Sequence, residues 1–209
     1  MSTQFTTIIF DLGGVLIDWD PRYVYRRIFD TEETIEWFFE EICTNEWNEK
    51  QDAGRSLQEA TEELVSKYPE YEKEIKAYYD RWEEMLGGPI HETVEIFRSL
   101  KETKKYRIYA LTNWSAETFP VALQRYDFLH WFDGIIMSGE EKTRKPFPEI
   151  YQLLLDRFNV DSSEAVFIDD SLRNIKGAEA MGIAGIHFQS PGQLLQDLKQ
   201  SQIVLPSAG

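Results

Sequence analysis

The sequence is poor in residues that cross-link a chain and in residues that bind polyanions. It has one cysteine, Cys43, so no internal disulfide can form. Basic side chains are outnumbered, 22 Lys and Arg against 37 Asp and Glu, and the formal net charge of −15 excludes a basic nucleic-acid binder. Only three histidines occur, His91, His130 and His187; they are scattered, show no metal-ligand spacing and read as structural. Apolar stretches are broken within a few residues by Asp or Gly, well short of the ~20 that a membrane helix needs, so no membrane partner is expected. The start, MSTQFTTIIF, has neither the basic stretch nor the long apolar run of a secretion signal. The expectation is a soluble protein of a reducing, cytoplasmic setting. Repeats and low-complexity tracts are missing too, and the tail 206–209 is expected to fray.

What the chain does have is aromatic and β-branched material for a core: 13 Phe, 10 Tyr and 6 Trp in 209 residues. Short, nearly continuous apolar runs at 7–10, 106–111, 134–137, 165–168 and 185–188 read as parallel strands buried on both faces. Helical patterns lie between them, at 91–101, 116–126, 149–158, 172–181 and 194–199. Alternation of this kind implies an α/β fold, a Rossmann-like parallel sheet wrapped by helices.

The interval 21–88 breaks the alternation with four helix-like segments and no convincing strand, and reads as an inserted helical domain; 1–20 and 89–209 then form the sheet domain. Its punctuation agrees. Ser56 and Glu59 have the spacing of a capping box, Pro69 suits a first helical turn, and Gly87-Gly88-Pro89 would stop the last helix. Residues 22–88 contain 9 basic and 18 acidic side chains and so carry −9 of the net charge, read as a solvated acidic surface. Twelve aromatics give the same interval a core of its own. Cys43, between Ile42 and Thr44, reads as a part-buried small residue.

In open α/β sheets ligands bind beyond the carboxyl ends of the strands, so the residues following each apolar run are the ones to inspect. They are Asp11-Leu-Gly-Gly14, Thr112-Asn113-Trp114 and Asp169-Asp170-Ser171, with Arg144-Lys145-Pro146 opening a helix between them. Each alone is a turn, a cap or a surface lysine. Together they place carboxylates, a hydroxyl and a lysine where one site can form. Clustered carboxylates repel unless protonated or bridged by a cation, and hard oxygen ligands suit Mg²⁺. With a lysine, a hydroxyl and backbone N–H groups around it, such a site cradles a phosphoryl group and leaves a carboxylate to attack.

Four ordered motifs carry a wider resemblance: Asp11-Leu-Gly-Gly-Val15, Thr112-Asn113, Lys145-Pro146-x-Pro148, and Asp169-Asp170 followed by Asn174 and Gly177. The chain resembles the haloacid dehalogenase (HAD) superfamily of hydrolases, in the branch with a helical cap after the first strand. Within it, the chain is similar to small sugar-phosphate phosphatases, including α-glucose-1-phosphate phosphatases. The resemblance implies that Asp11 is a nucleophile forming an aspartyl-phosphate. It further implies that Thr112 and the N–H of Asn113 bind phosphoryl oxygens together with Gly14, and that Lys145 neutralises nucleophile and phosphate. Asp11, Asp170 and the carbonyl of Gly13 would hold Mg²⁺, with Asp169 a second ligand directly or through water. The partner is a small phosphorylated substrate, and a monomer is expected. In the cap, Trp47 and Asn48 are candidates to face the substrate, and Asp52 and Arg55 to tune its choice.

One position departs from the resemblance. Phosphatases of this superfamily usually carry an Asp two residues after the nucleophile, as acid and base; here it is Gly13, with Asp18 and Asp20 the nearest substitutes. Two other readings follow. Metal-free 2-haloacid dehalogenases also lack that Asp, but their site gains nothing from Asp169 and Asp170. A non-catalytic binder of phosphorylated ligands would not need nucleophile, lysine and carboxylates together.

Overall fold

Each apolar run becomes a strand because its alternate residues serve two different cores. The computed structural model describes residues 4–205, and the tail expected to fray lies outside them. In chain order, β1 (Thr7–Phe10) leads to a short strand β2 (Ile17–Trp19) and then to helices α1 (Arg22–Tyr25), α2 (Glu32–Glu41), α3 (Asn45–Asp52), α4 (Leu57–Lys67) and α5 (Glu72–Asp80). A third strand β3 (Leu86–Pro89) returns the chain to α6 (His91–Glu102), β4 (Arg107–Thr112), α7 (Phe119–Arg125), β5 (Gly134–Met137) and α8 (Ser138–Glu141). The remainder is α9 (Pro148–Phe158), β6 (Ala165–Asp169), α10 (Leu172–Ala180), β7 (Ala184–His187) and α11 (Pro191–Gln200).

Five strands form one parallel sheet in the order β5-β4-β1-β6-β7. Ile8 and Phe10 of β1, Ile108 and Ala110 of β4, and Val166 and Ile168 of β6 enter one apolar cluster with Phe97 of α6 and Leu194 of α11. Their neighbours Ile9, Tyr109, Leu111 and Phe167 enter the other, against Ile150 and Leu154 of α9 and Ile175 of α10. Both faces are therefore apolar, which is why polar alternation is missing from these strands. After β1 the chain moves to β4 and β5 on one side, and later to β6 and β7 on the other. The carboxyl ends of β1, β4 and β6 thus flank the point where the order reverses, the place a doubly wound sheet opens a crevice.

The sequence did not reveal a strand between 11 and 90, and there are two. β2 and β3 pair antiparallel, Ile17 opposite Pro89 and Asp18 opposite Gly88, with a bulge between Asp18 and Trp19. Gly87-Gly88-Pro89, expected as a helix stop, is therefore half of a ribbon through which the helical segment leaves and rejoins the sheet. The first residues of α1 occupy the two substitute acids. Asp18 accepts the Tyr23 hydroxyl at 2.7 Å, and Asp20 accepts the N–H of Arg22 at 2.9 Å. A Cβ on Gly87 would lie 2.1 Å from Asp18 Oδ2, so only glycine admits that carboxylate.

The helices α1–α5 close around Tyr25, whose hydroxyl donates to the Glu74 carbonyl at 2.8 Å and whose ring lies 5.0–6.3 Å from those of Phe29, Phe38, Phe39 and Tyr78. Thr31, Thr44 and Ser56 cap α2, α3 and α4 by accepting a backbone N–H three residues on. The box expected at Ser56 is half formed, because the Glu59 carboxylate takes the Ser56 hydroxyl; a complete one stands at Ser190 and Gln193. Cys43 is buried in the aromatic cluster. Among the described residues no helix is long and apolar enough to cross a membrane.

Candidate active site

β1 delivers Asp11, β4 delivers Thr112, and β6 delivers Asp169, each at a carboxyl end. Lys145 reaches the same point from the loop before α9 and is completely buried. Its ammonium lies 2.8 Å from Asp11 Oδ1 and 2.7 Å from Asp169 Oδ2. Burial opposes the charge on Lys145, but the two carboxylates outweigh it and hold the pKa above the ordinary lysine value. Asp11 Oδ1 also accepts the N–H of Leu12 at 2.7 Å, whereas Oδ2 has no hydrogen-bond partner among the described residues. Burial raises the Asp11 pKa well above normal against the pull of Lys145, and repulsion from Asp169 and Asp170 adds to the rise.

Oxygens of Asp11, Asp169 and Asp170 lie within 4.8 Å of one another. Three carboxylates against one ammonium leave two negative charges when all are ionised, matched in magnitude by a divalent cation. The three are not equivalent. Asp169 is fully buried, and its oxygens take Lys145, the N–H of Ser171 at 2.7 Å and the Asn174 amide at 3.1 Å. Asp170 faces outward, its pKa raised by desolvation and by Asp169. The Gly13 carbonyl accepts no hydrogen bond among the described residues, so Asp11, Asp170 and Gly13 offer hard oxygens, a donor set that fits Mg²⁺. Thr112 is buried with no partner for its hydroxyl among the described residues. Asn113 turns its side chain onto the backbone of Lys145, at 2.8 and 3.0 Å, and its own N–H has no backbone partner among those residues.

Gly14 and Trp47 are placed differently from expectation. The Gly14 N–H is spent on the Ile17 carbonyl at 2.9 Å and is not free for phosphate. What the position requires is a left-handed backbone, φ +71°, and no side chain, because a Cβ would lie 2.2 Å from Asp170 Oδ2. Trp47 turns into the helical segment, donates its indole N–H to the Ala60 carbonyl at 3.1 Å and packs on Tyr78 and Tyr79. Trp47→Phe should therefore lower stability by about 1 kcal/mol in urea unfolding and leave KM unchanged. A changed KM with unchanged stability would return Trp47 to the substrate surface.

Next to Asp11 and Thr112 in the chain, Gly13 and Asn113 line a cavity of about 490 Å³, open solvent at its mouth included, between the sheet and the helices. Asn48 and Asp52 of α3 line it, together with Gly13, Trp82 and Trp114. Tyr79, also in the wall, donates its hydroxyl to Asn48 Oδ1 at 3.1 Å. Arg55 instead braces Gln51 and Glu63. Trp114, which reads as a packing residue in the sequence, both packs and lines: its indole donates to Thr118 at 3.1 Å and its ring meets Trp82 edge-on. Asn174 was legible only as part of a motif; its service to Asp169 follows from being five residues on, in the first turn of α10.

A family model for haloacid dehalogenase-like hydrolases matches residues 5–182, most of the chain and all the residues just described. The chain belongs to that family. A sesquiterpene phosphatase of Aspergillus oryzae is 28% identical over 200 residues, covering 96% of this chain and 98% of its own. A phosphorylated carbohydrates phosphatase of Thermotoga maritima is 26% identical over 208 residues, covering 95% and 94%. Among solved structures, a HAD family enzyme of Bacteroides thetaiotaomicron, crystallised with magnesium and inorganic phosphate, superposes with TM-score 0.65 at 24% identity, over 89% of this chain and 95% of that one. Within this family, the departure from the usual phosphatase pattern is at position 13. Gly13 is not among the residues with positive φ, and a Cβ there would meet nothing within 4 Å. A side chain would fit. The chain simply has none to offer from β1.

Proposed function

We propose that the protein is a Mg²⁺-dependent phosphatase of a small phosphorylated metabolite, with Asp11 as nucleophile. The observation that carries this reading is the juxtaposition of Asp11, Asp169 and Asp170 around a buried Lys145. A haloacid site without metal would hold this surplus of negative charge uncompensated. The phosphatase names of the two full-length relatives support the same conclusion.

Asp11, Asp170 and the Gly13 carbonyl would hold the cation, whose charge lets a phosphate dianion approach a carboxylate. Asp11 Oδ2, free of hydrogen bonds, attacks phosphorus while Oδ1 is fixed by Lys145 and Leu12. The Thr112 hydroxyl and the Asn113 N–H take phosphoryl oxygens. Asp169 holds Lys145 in place, and because its own oxygens accept from Lys145, Ser171 and Asn174 it would support the cation site from behind while Asp11 and Asp170 supply the carboxylates that would hold it. The bond from phosphorus to the leaving oxygen breaks, an aspartyl-phosphate forms, and water hydrolyses it. Residues 21–88 act as a lid hinged at the β2–β3 ribbon, excluding bulk water when closed.

The test is a panel of phosphorylated metabolites and 2-haloacids, assayed with Mg²⁺ and with EDTA. Phosphate release that chelation silences and Mg²⁺ restores is the expected outcome. Halide release indifferent to EDTA, with no phosphate released, would overturn the reading.

A further inference from the structure

A phosphatase without a carboxyl two residues after its nucleophile must find a proton for the leaving oxygen elsewhere. Asp18 and Asp20 are held by Tyr23 and by the backbone of Arg22, and neither lines the cavity among the described residues. One carboxyl does line it, and it lines it together with Gly13. We propose that Asp52, at the end of α3, is the catalytic acid and base: it protonates the leaving oxygen and then takes the proton of the hydrolytic water. This rests on the phosphatase reading above.

Three observations support the assignment. The cavity wall that contains Gly13 and Asn113, chain neighbours of Asp11 and Thr112, also contains Asp52. The space beside Gly13 is open, so a carboxyl entering from the opposite wall meets no obstruction there. And Asp52 has no hydrogen bond or ion pair among the described residues, unlike Glu49 on the same helix, which is bound to Arg144 and Arg173. Its surroundings bring its titration up to neutrality. Burial and then Glu49 raise its pKa to about 7, against Arg144 and Lys145, while Tyr78 and Tyr79 of α5 face it as neutral hydroxyls. A pKa near the working pH is what an acid that must also serve as base requires.

The protons balance over the cycle. As Asp11 Oδ2 bonds to phosphorus and the bond to the leaving oxygen breaks, the Asp52 proton passes to that oxygen and an alcohol departs. Asp52 is left ionised. Water then attacks phosphorus, the bond to Asp11 breaks, and the water proton returns to Asp52 as inorganic phosphate leaves.

The experiment compares wild type, Asp52→Asn, and Asp52→Asn combined with Gly13→Asp, all as the full chain with Mg²⁺. Substrates are glycerol phosphate, whose alkoxide needs a proton to leave, and nitrophenyl phosphate, whose phenolate does not. Asp52→Asn should reduce kcat/KM for glycerol phosphate by about 10²–10⁴-fold and the nitrophenol burst rate by less than about tenfold, with phosphorylated Asp11 accumulating after the burst. Gly13→Asp in that background should recover turnover of glycerol phosphate. The wild-type kcat/KM for glycerol phosphate should fall as pH rises through about 7, the value to which Asp52 is raised, because the acid form is lost. Asp52→Asn should lose that limb. A folded Asp52→Asn that keeps the wild-type ratio between the two esters overturns the proposal, as does a wild type with no such limb. Wild type that releases phosphate from no ester overturns the phosphatase reading first, and this one with it.

Discussion

Asp11→Asn is expected to lower turnover on the order of 10⁴-fold or more, the scale on which removing a nucleophile acts, with the fold intact. An amide neither attacks phosphorus nor anchors a cation. Stability should not suffer. Asp11 is a buried carboxylate pushed above its normal pKa by burial and by two carboxylate neighbours, and Lys145 retains Asp169 when it loses Asp11. The melting temperature in EDTA at neutral pH is therefore expected to equal or exceed that of the wild type. Turnover and phosphate labelling of the isolated protein, measured beside calorimetry, provide the check. Residual turnover within tenfold of wild type would move the nucleophile elsewhere.

Lys145→Met should damage both activity and stability. The ammonium is the one cation bonded to Asp169, a fully buried carboxylate, among the described residues, and removing one member of such a pair is strongly destabilising, by about 3–5 kcal/mol. Adding Asp169→Asn removes the stranded charge. The double variant should regain most of the lost stability in urea unfolding without regaining any turnover. If the double variant is as unstable as the two single changes added together, the coupling inferred from the 2.7 Å contact is absent.

The five strands of the sheet were legible because a strand covered on both faces must be apolar throughout, and nothing else in the chain has that pattern. Asp11, Thr112 and Asp169 were legible for a related reason: polarity returns abruptly where such a strand ends. The β2–β3 ribbon was not, since three or four residues containing Gly87, Gly88 and Pro89 have no period to read and pair only once the helices bring them together. Side-chain direction in the helical segment was equally hidden. Trp47, Asn48 and Asp52 share α3, yet Trp47 packs inward while the other two meet the cavity. Nor does the sequence separate Asp169 from Asp170: adjacent and identical, they differ only because the strand end buries one and exposes the next.

Glu49 binds Arg144, just before Lys145, and Arg173, in the first turn of α10 three residues after Asp170, so one side chain of α3 neutralises a cation on the loop that carries Lys145 and another on the helix that follows the Asp pair. Any excursion of α3 away from the sheet strips both guanidinium groups of their counter-charge at once. If residues 21–88 open as the proposed lid, the molecule, for all its net charge of −15, would then present two cations freed from Glu49, one beside Lys145 and one shortly after Asp170. Closure would return them to Glu49. Under that lid reading the pair would act as an alternating electrostatic funnel, drawing an anion toward an acidic protein only while there is room to enter, and added salt should slow that capture more than it slows the chemistry that follows.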